Sequence, residues 1–289
     1  ERANAVPLED FARRNMVRSA LKDGLVLAQT LGQNPFMMGF IGSTDTHSAA
    51  PGSAQENNYT GHLGRRDAQY NNVQDHFYSN PGGHAVVWAE ENSRTSIFNA
   101  LKRKEVYGTS GPRFLVRFFM GEKLGLDLCS SSNAISDSYE NGVPMGGTLD
   151  SKKLSKVRVF VSAHADQSLE NQFIEKLQVI KGVIREGVIE SSVHDIKSSK
   201  PSELDSSSCK VTGKGVRSMC MVWEDPDFNQ GDEAYYYVRV IANKSCRWSH
   251  NLCIKNPKYC EDENSLDVPK FIQERAWTSP IWLENLQDI

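Results

Sequence analysis

The sequence predicts an α+β chain in which a helix and a buried strand come first and an antiparallel β-sandwich-like region follows. Three observations carry this. Val17, Leu21, Leu25 and Ala28 recur at helical spacing between Leu8 and Leu31, with charges on the other face. Pro35-Phe-Met-Met-Gly-Phe-Ile-Gly42 is a short apolar run bounded by glycine, the pattern of a buried strand. Beyond Arg113, short apolar segments alternate with turn-rich stretches, as in a sandwich. This change of character divides the chain into residues 1–115 and residues 116–289.

Each element has its own signal. Gly32 supplies the stop for the first helix. Residues 48–83 are polar and rich in Gly, Asn and Ser, which predicts a long loop. Ala85–Trp88 is a brief apolar segment, and Asn92 or Ser93 is placed to cap a helix running through Ile97, Leu101 and Lys104. Phe114–Phe119 is strand-like. Lys156–Ala163 puts Val157, Val159 and Val161 on one side, and Leu177–Ile180 and Tyr235–Ile241 add further strands. The run Tyr235-Tyr236-Tyr237 alternates across its strand and is expected to pack in the sandwich. The Ser-rich stretch 191–208 is expected to be an exposed loop.

Composition removes several classes of function. With 33 Lys and Arg against 36 Asp and Glu, the net charge is −3, which argues against a nucleic-acid partner bound through bulk basicity. No apolar run is long enough to span a bilayer, so no transmembrane segment is expected. A small-molecule substrate is the expected partner. The six cysteines, at positions 129, 209, 220, 246, 253 and 260, include no C-x-x-C pair, which disfavours a zinc ribbon. Two readings of them stand, disulfides in an oxidising compartment or free thiols in a reducing one. The acceptor triplets Asn58-Tyr-Thr60 and Asn243-Lys-Ser245 tilt the balance towards a secreted or periplasmic location.

The sharpest chemical feature is Asp45-Thr46-His47 after the apolar run. Side chains two apart on a strand point the same way, and a carboxylate and an imidazole can share one divalent cation. The same triplet also reads as a polar turn, with Asp45 bonding the backbone and His47 solvated. His62, His76 and His84 lie in the loop that follows, where a ligand, an acid or a solvated histidine are all open readings. Neither Ser43 nor Ser110 sits in a G-x-S-x-G elbow, and Gly142-Val-Pro-Met-Gly-Gly147 reads as a turn, not a phosphate loop. Glu274 and Arg275 are placed to form a local ion pair.

Several longer stretches carry a family resemblance. Gly39–Ser48 resembles the last metal-binding motif of the PHP (polymerase and histidinol phosphatase) superfamily. The whole chain is similar to one branch, the domain of unknown function 3604 family. The matching stretches include Gly42-Ser-Thr-Asp-Thr-His47, Glu56-Asn-Asn-Tyr59, Val87-Trp-Ala-Glu-Glu-Asn-Ser-Arg94 and Leu101–Arg113. They continue with Gly142–Gly147, Tyr236-Tyr-Val-Arg-Val240 and Gln273-Glu-Arg-Ala-Trp-Thr-Ser-Pro-Ile-Trp282.

The resemblance implies that residues 1–115 form the end of a PHP-like (β/α) barrel and residues 116–289 a β-rich domain. It places Asp45 and His47 on a late metal-ligand pair for a divalent ion (Zn, Mn or Fe), with Ser43 and Thr44 orienting the ligands by hydrogen bonds. Arg94 and Arg113 are candidates to contact an anionic substrate group, or else a helix-surface charge and a salt-bridge partner. The family's earlier ligands come from an H-x-H motif that this sequence lacks, so a missing N-terminal barrel segment is expected. The implied activity is hydrolysis of an ester, amide, carbamate or phosphoester through metal-activated water, absent from this chain alone. The alternative is a non-catalytic binding module, or a degenerate relative that uses its β domain.

Overall fold

Runs of β-branched and aromatic residues dominate the chain, and the backbone follows them. The computed structural model describes residues 13, 15–47, 49–59, 61, 80–257 and 269–285. In chain order these form α1 (Val17–Leu31), β1 (His84–Val87), α2 (Arg94–Lys102), β2 (Val106–Thr109), β3 (Leu115–Gly121), α3 (Ala134–Asn141), β4 (Val143–Pro144) and β5 (Thr148–Asp150). There follow β6 (Arg158–His164), β7 (Ile174–Arg185), β8 (Val188–Ser198), β9 (Glu203–Asp205), β10 (Lys210–Thr212), β11 (Ser218–Glu224), β12 (Glu233–Cys246), α4 (Trp248–Lys255), β13 (Phe271–Thr278) and β14 (Ile281–Glu284).

The long strand β12 organises the larger sheet. One edge pairs with β7, which carries β8. Its other edge is shared: Ala234–Tyr236 pair with β14, and the run from Arg239 to Cys246 pairs with β13. β13 carries β2 and then β1, and β14 carries β5 in parallel. The second sheet is antiparallel, in the order β11-β6-β3-β4.

The period of two along each strand sorts side chains between the faces. Tyr236, Val238 and Val240 of β12 meet Val116, Phe118 and Met120 of β3 in the core between the sheets. Tyr235 and Tyr237 point the other way, against Leu21 and Leu25 of α1. On the outer face of the smaller sheet Phe119 and Phe160 pack with Leu124, Leu128 and Ile135, and a Cys129–Cys220 disulfide ties that layer to β11. Lys181 is the one charged residue of β7 turned fully into this interior. Its Nζ lies 2.8 Å from Asp225, whose second contact is the Tyr236 hydroxyl at 2.6 Å, so the buried charge is neutralised and hydrogen-bonded.

Three expectations are corrected. The segment before residue 115 is not the end of a (β/α) barrel: β1 and β2 hydrogen-bond antiparallel into the sheet of β13 and β12, and the described strands close no barrel. The run 35–42 is not a strand. Both edges of β2 are already taken by β1 and β13, so the run crosses the sheet's outer face. There Met37, Met38 and Phe40 join the α1 cluster, and the Phe40 N–H donates to Ser279 Oγ at 2.9 Å. The stretch 191–208 is not simply loop, because β8 and β9 run through it. Its polar composition is that of an edge strand with one face in water.

The remaining elements agree with their signals. α1 spans Val17–Leu31 and ends on Gly32 at φ +73°, whose N–H bonds Ala28. Ser93 caps α2 by accepting the Ser96 N–H. Strands occur at 115–121, 158–164, 174–185 and 233–246, where apolar alternation places them.

Candidate active-site clefts

The loop that carries Asp45 and His47 is held by backbone packed on backbone. A Cβ at Gly42 would sit 2.7 Å from the Thr109 carbonyl oxygen, and one at Gly83 would sit 1.7 Å from the same atom. Only glycine permits these approaches. The Gly83 N–H also donates to the Ser43 carbonyl at 2.9 Å, which fastens the loop to the start of β1. Beyond Ser43 the chain turns. Thr44 Oγ1 accepts the Thr46 N–H at 3.3 Å, and Asp45 takes a left-handed φ of +50°, which aspartate tolerates better than most residues. Asp45 and His47 are both exposed. They are thus presented by a turn, and strand alternation plays no part in their placement.

Ser43 opens into a cleft of about 340 Å³ that it shares with Glu56, Ser110 and Arg247. Glu56 is also a wall of a second cleft of about 380 Å³, lined further by Glu274 and the Cys209–Cys246 disulfide. Asp45 and His47 line neither.

Each carboxyl here is placed by a backbone need. Helix α4 begins after Arg247 with no side-chain cap of its own. Its first N–H, from Trp248, donates to Glu56 Oε2 at 2.5 Å, so a residue almost two hundred positions earlier satisfies the helix end. Asn251 Nδ2 donates to the Glu56 carbonyl at 3.3 Å and holds that segment. Burial pushes the Glu56 carboxyl up to about 7, against the pull of the Trp248 N–H and the Arg247 guanidinium. Glu274 lies on β13, where residues 274, 276 and 278 face inward. Its carboxylate accepts the Ser110 hydroxyl, and a Cβ on Gly111 would come within 3.3 Å of its Oε1. Burial pushes Glu274 up to about 8 and the charge of Glu56 adds to this, while Ser110 and Arg275 oppose it. Two carboxyls that line one cleft and are both raised towards neutrality by burial are suited to donate and accept protons.

Other candidates lie elsewhere. Arg94 is exposed at the start of α2, in a shallow depression with Thr95, Ile97, Phe98 and Leu101. Arg113 is exposed; its N–H donates to Asp166 at 2.8 Å, and its charge acts on His84. His84 is half-buried on β1, and burial, aided by Arg113, lowers its imidazole against the opposing pull of Asp166. His62 and His76 lie outside the described residues. Among the described residues, one group of His, Cys, Asp or Glu brings three ligand atoms within 4.8 Å of one another, namely Cys209, Cys246 and His250, and its two sulfurs are already bonded.

The cysteines of the described residues are in disulfides: Cys129–Cys220, Cys209–Cys246, and Cys253 in a further bond. Cys260 lies outside the described residues. Asn243 is buried, donating to the Asn171 and Lys244 carbonyls, so its triplet is closed to modification in the folded chain; Asn58 is exposed. No helix among the described residues is long and apolar enough to cross a membrane.

Glu56 and Glu274 were not legible as partners in sequence. The available signal was a charged residue at an inward position of the alternating run Gln273–Thr278. For Glu56 it was only the Glu-Asn-Asn-Tyr stretch.

A β protein of two large sheets and a two-stranded β9–β10 pair, with a helix on its outer face and two clefts sharing a carboxyl wall, is the class that these observations define. The chain belongs to the DUF3604 family, described as proteins of unknown function, whose sequence profile matches residues 3–285. Searches of curated proteins and of solved structures each returned no match.

Proposed function

We propose that this chain contributes to a metal-dependent hydrolase of the PHP type, acting on an ester, amide, carbamate or phosphoester. The observation that supports it best is the clamped turn, which presents Asp45 and His47 to solvent beside the Ser43 cleft. A carboxylate oxygen and an imidazole nitrogen form a donor set suited to Zn, Mn or Fe. They fit as two ligands of one site, which this chain completes with further groups of its own, against the expectation of a missing segment. A divalent ion held there would supply Lewis acidity and lower the pKa of bound water. Thr44 shapes the turn between the two ligands through its bond to the Thr46 N–H. Ser43 and Arg247 line the adjoining cleft, where a guanidinium suits an anionic group. Arg94 and Arg113 have no contact with this cleft that supports a substrate role. The disulfides fit an oxidising compartment, hence a secreted or periplasmic protein.

The test is hydrolysis of p-nitrophenyl acetate, a p-nitrophenyl carbamate and bis-p-nitrophenyl phosphate, with Zn, Mn or Fe added. Turnover of at least one that requires metal and is lost in His47→Ala supports the reading. Turnover of none, or turnover indifferent to metal and to His47, favours a binding module instead.

A further inference from the structure

We propose that Glu56 and Glu274, which line one cleft, form an electrostatically coupled carboxyl pair, with Glu56 as the acid–base residue of the Ser43 cleft. The chemistry rests on the hydrolytic reading above; the coupling of the two carboxyls does not.

The geometry assigns the two residues different depths. Glu56 lines both clefts, whereas Glu274 is almost wholly buried and lines only the second. Gly111 lies between their two segments, because a Cβ there would sit 2.8 Å from the Ala54 carbonyl, two residues before Glu56, and 3.3 Å from Glu274 Oε1. The groups facing the pair come from each packed segment. Arg247, at the start of α4, faces Glu56; Ser110, after β2, donates to Glu274; Arg275 flanks Glu274 on β13. With one positive neighbour each, burial and mutual repulsion disfavour the doubly charged state and hold a proton on the pair. The pair therefore titrates as a unit near neutrality, in keeping with the raised values of both groups.

In the reaction, water adds to the acyl or phosphoryl centre and the bond to the leaving oxygen or nitrogen breaks, its electron pair going to that atom. The Glu56 carboxyl gives its proton to the same atom, and the proton of the attacking water returns the pair to its starting state. The net change is addition of one water across the broken bond.

The test is an infrared titration of the carboxyl C=O band on the full chain. Wild type is expected to hold a protonated carboxyl at neutral pH. Glu274→Gln removes the component of higher midpoint. Glu56→Gln, whose amide oxygen still accepts the Trp248 N–H, lowers that midpoint by about one pH unit, because the like charge has gone. Ser110→Ala moves it the opposite way, and Glu56→Asn, also neutral, serves if the Gln variant fails to fold. A Glu274 midpoint indifferent to changes at residue 56, or both groups titrating in the ordinary carboxylate range, overturns the pair. Glu56→Gln is further expected to slow hydrolysis of an alkyl ester or an anilide, whose leaving atom needs the proton, by about 100-fold or more with metal content unchanged, and to slow the p-nitrophenyl ester less. Coupled titration with an unchanged rate overturns the acid–base role. Coupled titration in a chain that hydrolyses none of the probes, wild type included, overturns the hydrolytic reading and leaves the pair standing.

Discussion

The Ser110 hydroxyl donates to the carboxylate of Glu274, across a separation of 164 residues in sequence. That bond joins the end of β2 to β13. The Ser110 N–H donates to the Arg275 carbonyl at 2.9 Å, and Ser110 Oγ accepts the Arg275 N–H at 2.8 Å, so the strand pairing itself places the hydroxyl.

The first prediction concerns pH and stability. Glu274 is raised from an ordinary 4.5 to about 8 and Glu56 from 4.5 to about 7. The folded state therefore holds protons that the unfolded state releases above about 4.5. Their contribution is full below that pH and is lost as pH rises through the folded values. Tm is expected to fall between about pH 5 and pH 8. Glu274→Gln, which cannot ionise, flattens the fall by the equivalent of a few kcal/mol, on the order of 1.4 kcal/mol for each tenfold difference in proton affinity between the folded and unfolded chain. Calorimetry across that range checks it, and a wild-type Tm that rises over the window contradicts it.

The second concerns the buried ion pair. Asp225→Ala leaves the Lys181 ammonium in the core between the sheets with Asp227 alone for charge, its exposed carboxylate at 3.2 Å, besides the Asp227 carbonyl at 2.7 Å. The expected loss is about 3–5 kcal/mol. Urea unfolding measures it, and a loss below about 1 kcal/mol would show that Asp227 or water takes over the charge.

A third follows from the disulfide between α3's layer and β11. Cys129 and Cys220 close a loop with a sequence separation of 91. Replacing both with serine is expected to cost about 2–4 kcal/mol, read as a lower Tm under oxidising conditions and no difference after reduction.

The turn bearing Asp45 and His47 supplies a fourth. Gly83→Ala places a methyl 1.7 Å from the Thr109 carbonyl oxygen, so the backbone must part there. Destabilisation of about 1–3 kcal/mol is expected, together with weaker metal binding. Retention of both stability and metal affinity would show that the clamp does not position the loop.

Much of the β architecture is readable from the sequence because alternation is local. Val157, Val159 and Val161 share a face whatever they meet, and the Tyr235–Tyr237 run separates onto the two faces of the larger sheet. What alternation cannot show is which sheet a strand joins. His84–Val87 and Val106–Thr109 look like pieces of a repeating β/α unit, yet they pair antiparallel with each other, and Val106–Thr109 pairs with β13, which lies more than 160 residues later. The apolar run 35–42 has the composition of a strand, but both edges of β2 beside it are taken, and its side chains pack on the α1 cluster instead. The site is legible to a similar degree. Asp45 and His47 stand in one short motif, whereas Glu56, Ser110, Arg247 and Glu274 come from four distant segments and meet only through α4 capping and the β2–β13 register.

The most direct measurement is metal content by elemental mass spectrometry, after loading with Zn, Mn or Fe and dialysis, on wild type, Asp45→Asn with His47→Ala, and Glu274→Gln. The account predicts near-stoichiometric metal in wild type and in Glu274→Gln, and its loss from the Asp45/His47 variant. Equal metal in all three, or none in wild type, would contradict the assignment of Asp45 and His47 as ligands.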